Sequence, residues 1–355
     1  MLRSMILTML LMAAPAAKAA TATVLFKADF QAHAQGPYTA EAFRADWGMD
    51  PPDSAGVKAG RVNIVADPLQ AGHRVLRVTY AGKQIGGNSA MTFTLPIEKG
   101  HASVWFQYKV MFDKDFVWVR GGKLPGLAGG DFPTGCVKDG TYDGFSTRLM
   151  WREKGLAWSY LYYPGKHADC GDDYVLPVKF RAGRWYTLTQ AVTMNDLGQA
   201  NGALKQYIDG VLAGQQDGWT WRREARSGID GVKMDTFFGG GEADWAPPSD
   251  QYAYFDAFVV STESPLDSVD TRHNRIRHLA PLAGFTPWTQ GQTYQAGARV
   301  ALRDADGTWR HFTARTPTGV MPDEGNSVLD VYEDVHWPVE LDTGQPWLEV
   351  TGQAE

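Results

Sequence analysis

Short runs in which apolar and polar residues alternate recur along the chain: "ATVLFKADF", "HRVLRVTYAG", "SVWFQYKVMF", "GFSTRLMWR", "LAWSYLYYP", "WYTLTQAVTMN", "ALKQYIDGVLAG" and "YAYFDAFVVS". Alternation of period two, broken by Gly, Pro, Asn and Asp, predicts strands and turns. Helical periodicity is nearly absent. Many short strands of this kind predict an all-β chain, a β-jelly-roll sandwich of the concanavalin-like type. The polar, charged, proline-bounded stretch from Ser264 to Leu282 interrupts the pattern and reads as a linker. After it, "FTPWTQGQTYQAGARVALRDADGTWRHFTARTPTG" is a compact, aromatic, turn-rich unit. The expected organisation is a sandwich over 20–263, a linker over 264–282 and a small β module over 283–355.

One segment predicts its own register. In "GFSTRLMWREKGLAWSYLYYP", Gly144 to Pro164, two strand-like runs flank "EKG". A three-residue hairpin loop favours glycine last, where the backbone turns left-handed. Arg152 then faces Leu156, Arg148 faces Tyr160 and Ser146 faces Tyr162. Opposed pairs share a face. One face carries Ser146, Arg148, Met150 and Arg152 beside Leu156, Trp158, Tyr160 and Tyr162. The other carries Phe145, Thr147, Leu149 and Trp151 beside Ala157, Ser159, Leu161 and Tyr163. The second is the more apolar and is expected on the core. The first is expected to line an open surface.

The opening "MLRSMILTMLLMAAPAAKAATA" adds a compartment to this picture. An arginine, an apolar run and the small-residue site "AKA" describe a secretory signal over 1–19. No later stretch is apolar enough to cross a bilayer, so a secreted, monomeric protein without membrane contact is expected. Cys136 and Cys170 are the two cysteines, and in an exported protein they are expected to form one disulfide. It would tie the loop after Gly130 to the loop after Tyr163.

The formal net charge is −6. The acid is concentrated at the end: from Ala283 onward there are 4 Arg and no Lys against 11 Asp and Glu. The body is therefore near neutral, able to hold a local basic site, and has none of the basic bias of nucleic-acid binders. Eight scattered histidines show no metal-ligand spacing, so neither a metal nor a cofactor is expected. "RGGKLPGLAGG", Arg120 to Gly130, is not a phosphate loop, because no Ser or Thr follows Lys123 and the spacing is wrong. Its glycines are expected to let the backbone turn tightly beside a groove.

The Ser, Arg and Tyr cluster has a chemistry. Arginine binds a carboxylate in bidentate fashion. A tyrosine beside a cation has a lowered pKa and can carry protons. Those are the needs of β-elimination on a 4-linked uronate: neutralise the C6 carboxylate, remove the C5 proton, protonate the departing O4. Glycoside hydrolysis usually needs two carboxylates, and the cluster carries none.

"GGKLPGLAGG", "PTGC", "FSTRLMWR" and "YLYYP", in this order, resemble polysaccharide lyase family 14, the alginate and glucuronan lyases with a β-jelly-roll fold. The resemblance covers roughly Phe26 to Ser261. It places the family's catalytic lysine at Lys123, its Ser-x-Arg pair at Ser146 and Arg148, and its Tyr-x-Tyr pair at Tyr160 and Tyr162. It implies an anionic polysaccharide substrate, with Lys123 and Arg148 handling the uronate charge and the tyrosines moving protons. Trp158, Gln107 and Lys109 are expected to line the same substrate groove. Alginate is the expected substrate and glucuronan the alternative; a non-catalytic lectin on the same fold is the rival reading.

The tail resembles chitin-binding type-3 modules through Trp288, Tyr294, Gly297, Val300, Phe312, Ala314, Thr316, Pro322 and Trp337. That resemblance implies a second glycan at the C-terminal module.

Overall fold

The computed structural model describes residues 23–266, 278, 280–305, 307–323, 325–333, 335, 342 and 344–351. The expected secretory signal, most of the expected linker, and Trp337 lie outside them.

Alternating residues divide each strand between two faces, and two sheets bury their apolar faces against each other. The larger, nine-stranded sheet runs Val211–Trp219, Gly202–Ile208, Trp185–Thr193, Ser103–Phe112, Gln251–Ser261, Arg74–Tyr80, Val62–Ala66, Gly36–Pro37, with Val24–Ala28 also paired to Gln251–Ser261. The seven-stranded sheet runs Asp172–Lys179, Leu156–Tyr162, Gly144–Arg152, Gly121–Gly130, Gly231–Lys233, Thr94–Pro96, with Phe237–Phe238 on the Gly121–Gly130 strand. Both sheets are antiparallel throughout.

The shared core takes Phe106, Tyr108, Val110 and Phe112 from the first sheet and Leu124, Leu149, Trp151 and Leu161 from the second. Phe112 and Trp151 meet across it with ring centroids 5.3 Å apart. Gln190 spans the same gap, with Nε2 donating to the Thr147 carbonyl at 2.7 Å and Oε1 accepting from Thr147 Oγ1 at 3.2 Å. A buried amide that finds partners on the opposite sheet fixes how the sheets sit.

Two local expectations change. An α-helix, Ala40–Trp47, is present although no helical stripe was read. Its eight residues are too few to show one; Thr39 caps it by accepting from the Ala42 amide at 3.2 Å, Gly48 ends it left-handed, and Phe43 and Trp47 enter the core. The glycine-rich stretch is not a turn. Gly121–Gly130 is a ten-residue strand inside the sheet. Its glycines serve close packing: a Cβ at Gly122 would collide with the Trp151 ring, and one at Gly126 with the Thr147 carbonyl. Pro125 is accommodated where the register shifts between Leu124 and Gly126.

The C-terminal unit is a third, five-stranded sheet, in the order Thr286–Pro287, Arg299–Arg303, Trp309–Ala314, Trp347–Glu349, Ser327–Leu329. Tyr294, Val300, Phe312, Ala314 and Trp347 form its core, and Trp288 packs against it. Trp288, Tyr294 and Phe312, among the aromatics behind the chitin-binding resemblance, are thus occupied in packing.

Candidate active site

The hairpin has the register read from its sequence. Ser146 pairs with Tyr162, Arg148 with Tyr160 and Met150 with Trp158. Gly155 closes the turn at φ 82°, and Lys154 is left-handed as well. Phe145, Leu149, Trp151, Ala157, Leu161 and Tyr163 face the core. On the other face, Lys123 arrives from the neighbouring strand, where it pairs with Met150.

That face is not an open surface. Tyr162 is 1 % exposed, Arg148 3 % and Lys123 8 %. Loops cover it and leave a cavity of about 240 Å³, lined by Lys123, Arg148, Tyr160, Tyr162, the Cys136–Cys170 disulfide, Phe237 and Gly239 to Gly241. Four of the residues singled out in the sequence are therefore brought together in one pocket.

Lys123 Nζ lies 4.1 Å from the centroid of the Tyr160 ring, 3.3 Å from Met150 Sδ and 3.5 Å from the Gly239 carbonyl. None of the described carboxylates comes within ion-pair distance of it. Burial, and then the positive charges of Arg148 and Arg152, hold its pKa well below the ordinary 10.5, against the pull of Asp173 and Asp235.

Arg148 Cζ stands 5.3 Å from the Tyr160 ring centroid and 5.3 Å from that of Tyr162. Its Nη1 donates to Asp235 Oδ2 at 2.7 Å, both side chains being buried. Its Nε is buried without a partner among the described residues. Asp235 is itself held by Thr92, whose hydroxyl donates to its other oxygen. Reading the hairpin alone placed no carboxylate on this face. Asp235 reaches it from the stretch between Gly231–Lys233 and Phe237–Phe238, which joins the sheet on the far side of Gly121–Gly130. The stretch "DTFFGGG", which carries Asp235 and supplies Phe237 and Gly239 to Gly241 to the lining, is the sequence signal for it.

The two phenols are held by the loops that the disulfide joins. Tyr162 donates to the Gly135 carbonyl at 2.6 Å, and Tyr160 Oη accepts from the Gly171 amide at 3.1 Å. Gly135 precedes Cys136, and Gly171 follows Cys170. The phenol oxygens are 3.0 Å apart. Tyr162 is the donor toward both the Gly135 carbonyl and Tyr160 Oη, so its one proton is shared between two acceptors. The expected lowering of a tyrosine pKa is not found for Tyr162. Burial, assisted by Tyr160, raises it far above 10, and Arg148 offsets only part of that.

The remaining candidates lie elsewhere. Ser146 is fully buried and donates to the Pro133 carbonyl at 2.8 Å, supporting the loop rather than lining the cavity. Trp158 is also buried, with the Arg152 guanidinium 4.9 Å over its ring and Trp245 5.0 Å beyond on that same guanidinium. Gln107 and Lys109 are on the wrong sheet for a shared groove. Their neighbours Phe106 and Tyr108 point into the core, so alternation turns them outward on the nine-stranded sheet, where Gln107 donates to Thr189 Oγ1 at 3.0 Å. Among the described residues, no group of three His, Cys, Asp or Glu side chains could hold a metal ion.

A two-sheet antiparallel sandwich with a cationic, tyrosine-lined pocket on one outer face describes a class of carbohydrate-active enzyme. The family described as Polysaccharide lyase 14 matches residues 68–258, and the chain belongs to it. It is a polysaccharide lyase on a β-jelly-roll. Among solved structures it is similar to the alginate lyase Aly36B, at 23 % identity over 66 % of this chain and 95 % of that one, with a TM-score of 0.57. It is also similar to the marine PL-14 alginate lyase from Aplysia kurodai, at 22 % identity over 67 % and 98 % of the two chains, with a TM-score of 0.55. No match was found among curated proteins.

Proposed function

We propose that the protein cleaves a 4-linked polyuronate, alginate first, by β-elimination in the Lys123–Arg148–Tyr160–Tyr162 pocket. One observation carries this reading: the pocket lining holds two basic side chains, Lys123 and Arg148, and two phenols, and no carboxylate. Hydrolysis by a carboxylate pair has no residues there to perform it. Alginate stands first because the similar structures named above are alginate lyases.

Arg148, fixed by Asp235, meets the C6 carboxylate of the substrate and makes the C5 proton more acidic. Lys123, whose burial favours the free amine, accepts that proton. Tyr162, kept protonated by burial, supplies the proton to O4 through the paired phenols. The C4–O4 bond breaks, a C4=C5 double bond forms, and the tyrosine recovers its proton from the lysine or solvent. The disulfide supports an oxidising compartment, in line with a secreted enzyme.

The test is to incubate the protein with alginate, polymannuronate, polyguluronate and glucuronan while following ultraviolet absorbance of the new double bond. A rise on alginate is expected. Flat traces on every polyuronate, with binding alone, would make the pocket a lectin site; reducing ends released from neutral glycans would make it a hydrolase.

A further inference from the structure

The Asp172–Lys179 edge strand borders the sheet face that carries the pocket, and a part of the chain outside the matched family region packs against that strand. The short helical turn Asp330–Tyr332 of the C-terminal unit is seated there. Val331 and Val335 are buried in one apolar cluster with Met150, Leu156, Trp158, Tyr160 and Tyr162, and Leu329, Tyr332, Val137 and Val175 pack at its margin. Burial in this contact pushes the Tyr332 phenol up to about 12. Asp330 lies close enough to Lys179 of the edge strand to feel its charge. The turn therefore packs on that edge, in the same apolar cluster as the two tyrosines.

Two further groups border this cluster. Trp158, Arg152 and Trp245 form a stack with the guanidinium about midway, 4.9 Å and 5.0 Å from the two ring centroids. The disulfide joins the loops over the tyrosines. The cavity itself, lined by Lys123, Arg148, the two tyrosines, the disulfide and Phe237 with the glycines after it, is about 240 Å³, smaller than the roughly 300–1,000 Å³ of ordinary ligand pockets. It has room for the reacting sugar, and the rest of a polymer must extend beyond it.

Charge acts in the same sense. The unit that forms the wall carries 11 acidic residues against 4 arginines from residue 283 onward. A polyanion extending toward this unit meets a net charge of its own sign, which opposes binding in that direction.

We propose that the C-terminal unit, through Val331, Tyr332 and Val335, walls off the sheet face beside the active-site pocket on the edge-strand side and restricts the lyase to the ends of polyuronate chains. The inference rests on the polyuronate-lyase reading and adds a mode of action to it. It also gives the C-terminal unit a role other than holding a second glycan.

The test compares the full-length protein with the double variant Val331→Asp/Val335→Asp and with the milder Tyr332→Ala. Double bonds are counted by absorbance while the viscosity and size distribution of a long alginate are followed in the same sample. The unaltered protein is expected to release short unsaturated products from the start, with little viscosity lost per double bond. The variants are expected to lose viscosity several-fold faster per double bond and to release longer products. Hydrogen exchange without substrate is measured in parallel, and the variants are expected to lose protection in Leu156–Tyr162 while Ser103–Phe112 keeps it. Early mid-length products from the unaltered protein, or product patterns unchanged in variants that show this exchange, would overturn the end-wall proposal and leave the lyase reading standing. Unchanged exchange in both variants would overturn the docking itself. A flat absorbance trace on every polyuronate would overturn the lyase reading, and the inference with it.

Discussion

Arg148 and Asp235 form a 2.7 Å ion pair in which both side chains are withdrawn from solvent. Breaking such a pair leaves a buried charge uncompensated, at about 3–5 kcal/mol. Asp235→Ala is therefore expected to lower the unfolding free energy by that order. Asp235→Asn keeps a hydrogen-bond acceptor and should fold, but its guanidinium is less firmly aimed. A displacement of about 1 Å at a reacting centre costs on the order of 10²-fold. Asp235→Asn should lose about that much in kcat/KM; unchanged kinetics would show that the pair does not position Arg148.

Arg148→Lys keeps the charge and loses the planar fork. Charge-assisted hydrogen bonds contribute about 1.5–3 kcal/mol, so kcat/KM should fall by roughly 10–150-fold. Activity equal to that of the unaltered protein would mean that only net charge matters at this position.

Tyr162→Phe removes the proton assigned to the leaving oxygen. Steady-state kinetics should show kcat reduced by about 10²–10⁴-fold. The fold should suffer little, because the ring stays and only the bonds to the Gly135 carbonyl and to Tyr160 Oη are lost, about 1 kcal/mol each. A variant that keeps its kcat would move the acid role to Tyr160.

Lys123 predicts two pH dependences of one sign. Below its pKa the amine is a cation and cannot accept the C5 proton, so the rate should fall as the pH drops through that value. Burial sets the value well under 10.5, so the plateau should be reached at lower pH than an exposed lysine would allow. Stability follows the same group. Between the folded and unfolded pKa values the unfolded chain holds the extra proton, so stability should rise with pH across that window. Denaturation at a series of pH values should find this contribution missing in Lys123→Met, together with the activity. An identical slope in the variant would assign it to other groups.

The Cys136–Cys170 bond closes a loop of 34 residues in sequence separation and flanks the Gly135 and Gly171 contacts of both phenols. Replacing both cysteines by serine should cost about 2–4 kcal/mol of stability. It should also lower kcat, since the phenols lose their common frame. Thermal melts and kinetics read the two effects separately, and a stability loss with full activity would confine the disulfide to the fold.

The hairpin was legible because its register depends on neighbours in sequence. Alternation and one turn glycine place Arg148 opposite Tyr160 and Ser146 opposite Tyr162, and they are found there. Gln107 and Lys109 failed for a physical reason: alternation separates the two faces of a strand but says nothing about which sheet the strand joins. Asp235 was missed because it enters through pairing across about ninety positions of sequence. The glycines of Gly121–Gly130 were misread because turning and close packing select the same residue.

The sequence by itself determined the antiparallel sandwich, the facing pairs of the hairpin and the chemistry the pocket residues are able to perform, since period-two patterning and side-chain type are local properties. Only the tertiary structure decided that the face is buried, that Asp235 anchors Arg148, that the Tyr162 pKa rises, and that Val331 and Val335 join the buried cluster of Tyr160 and Tyr162. Each of these depends on which distant segments exclude water from the same few side chains, and exclusion of water is set by packing in three dimensions.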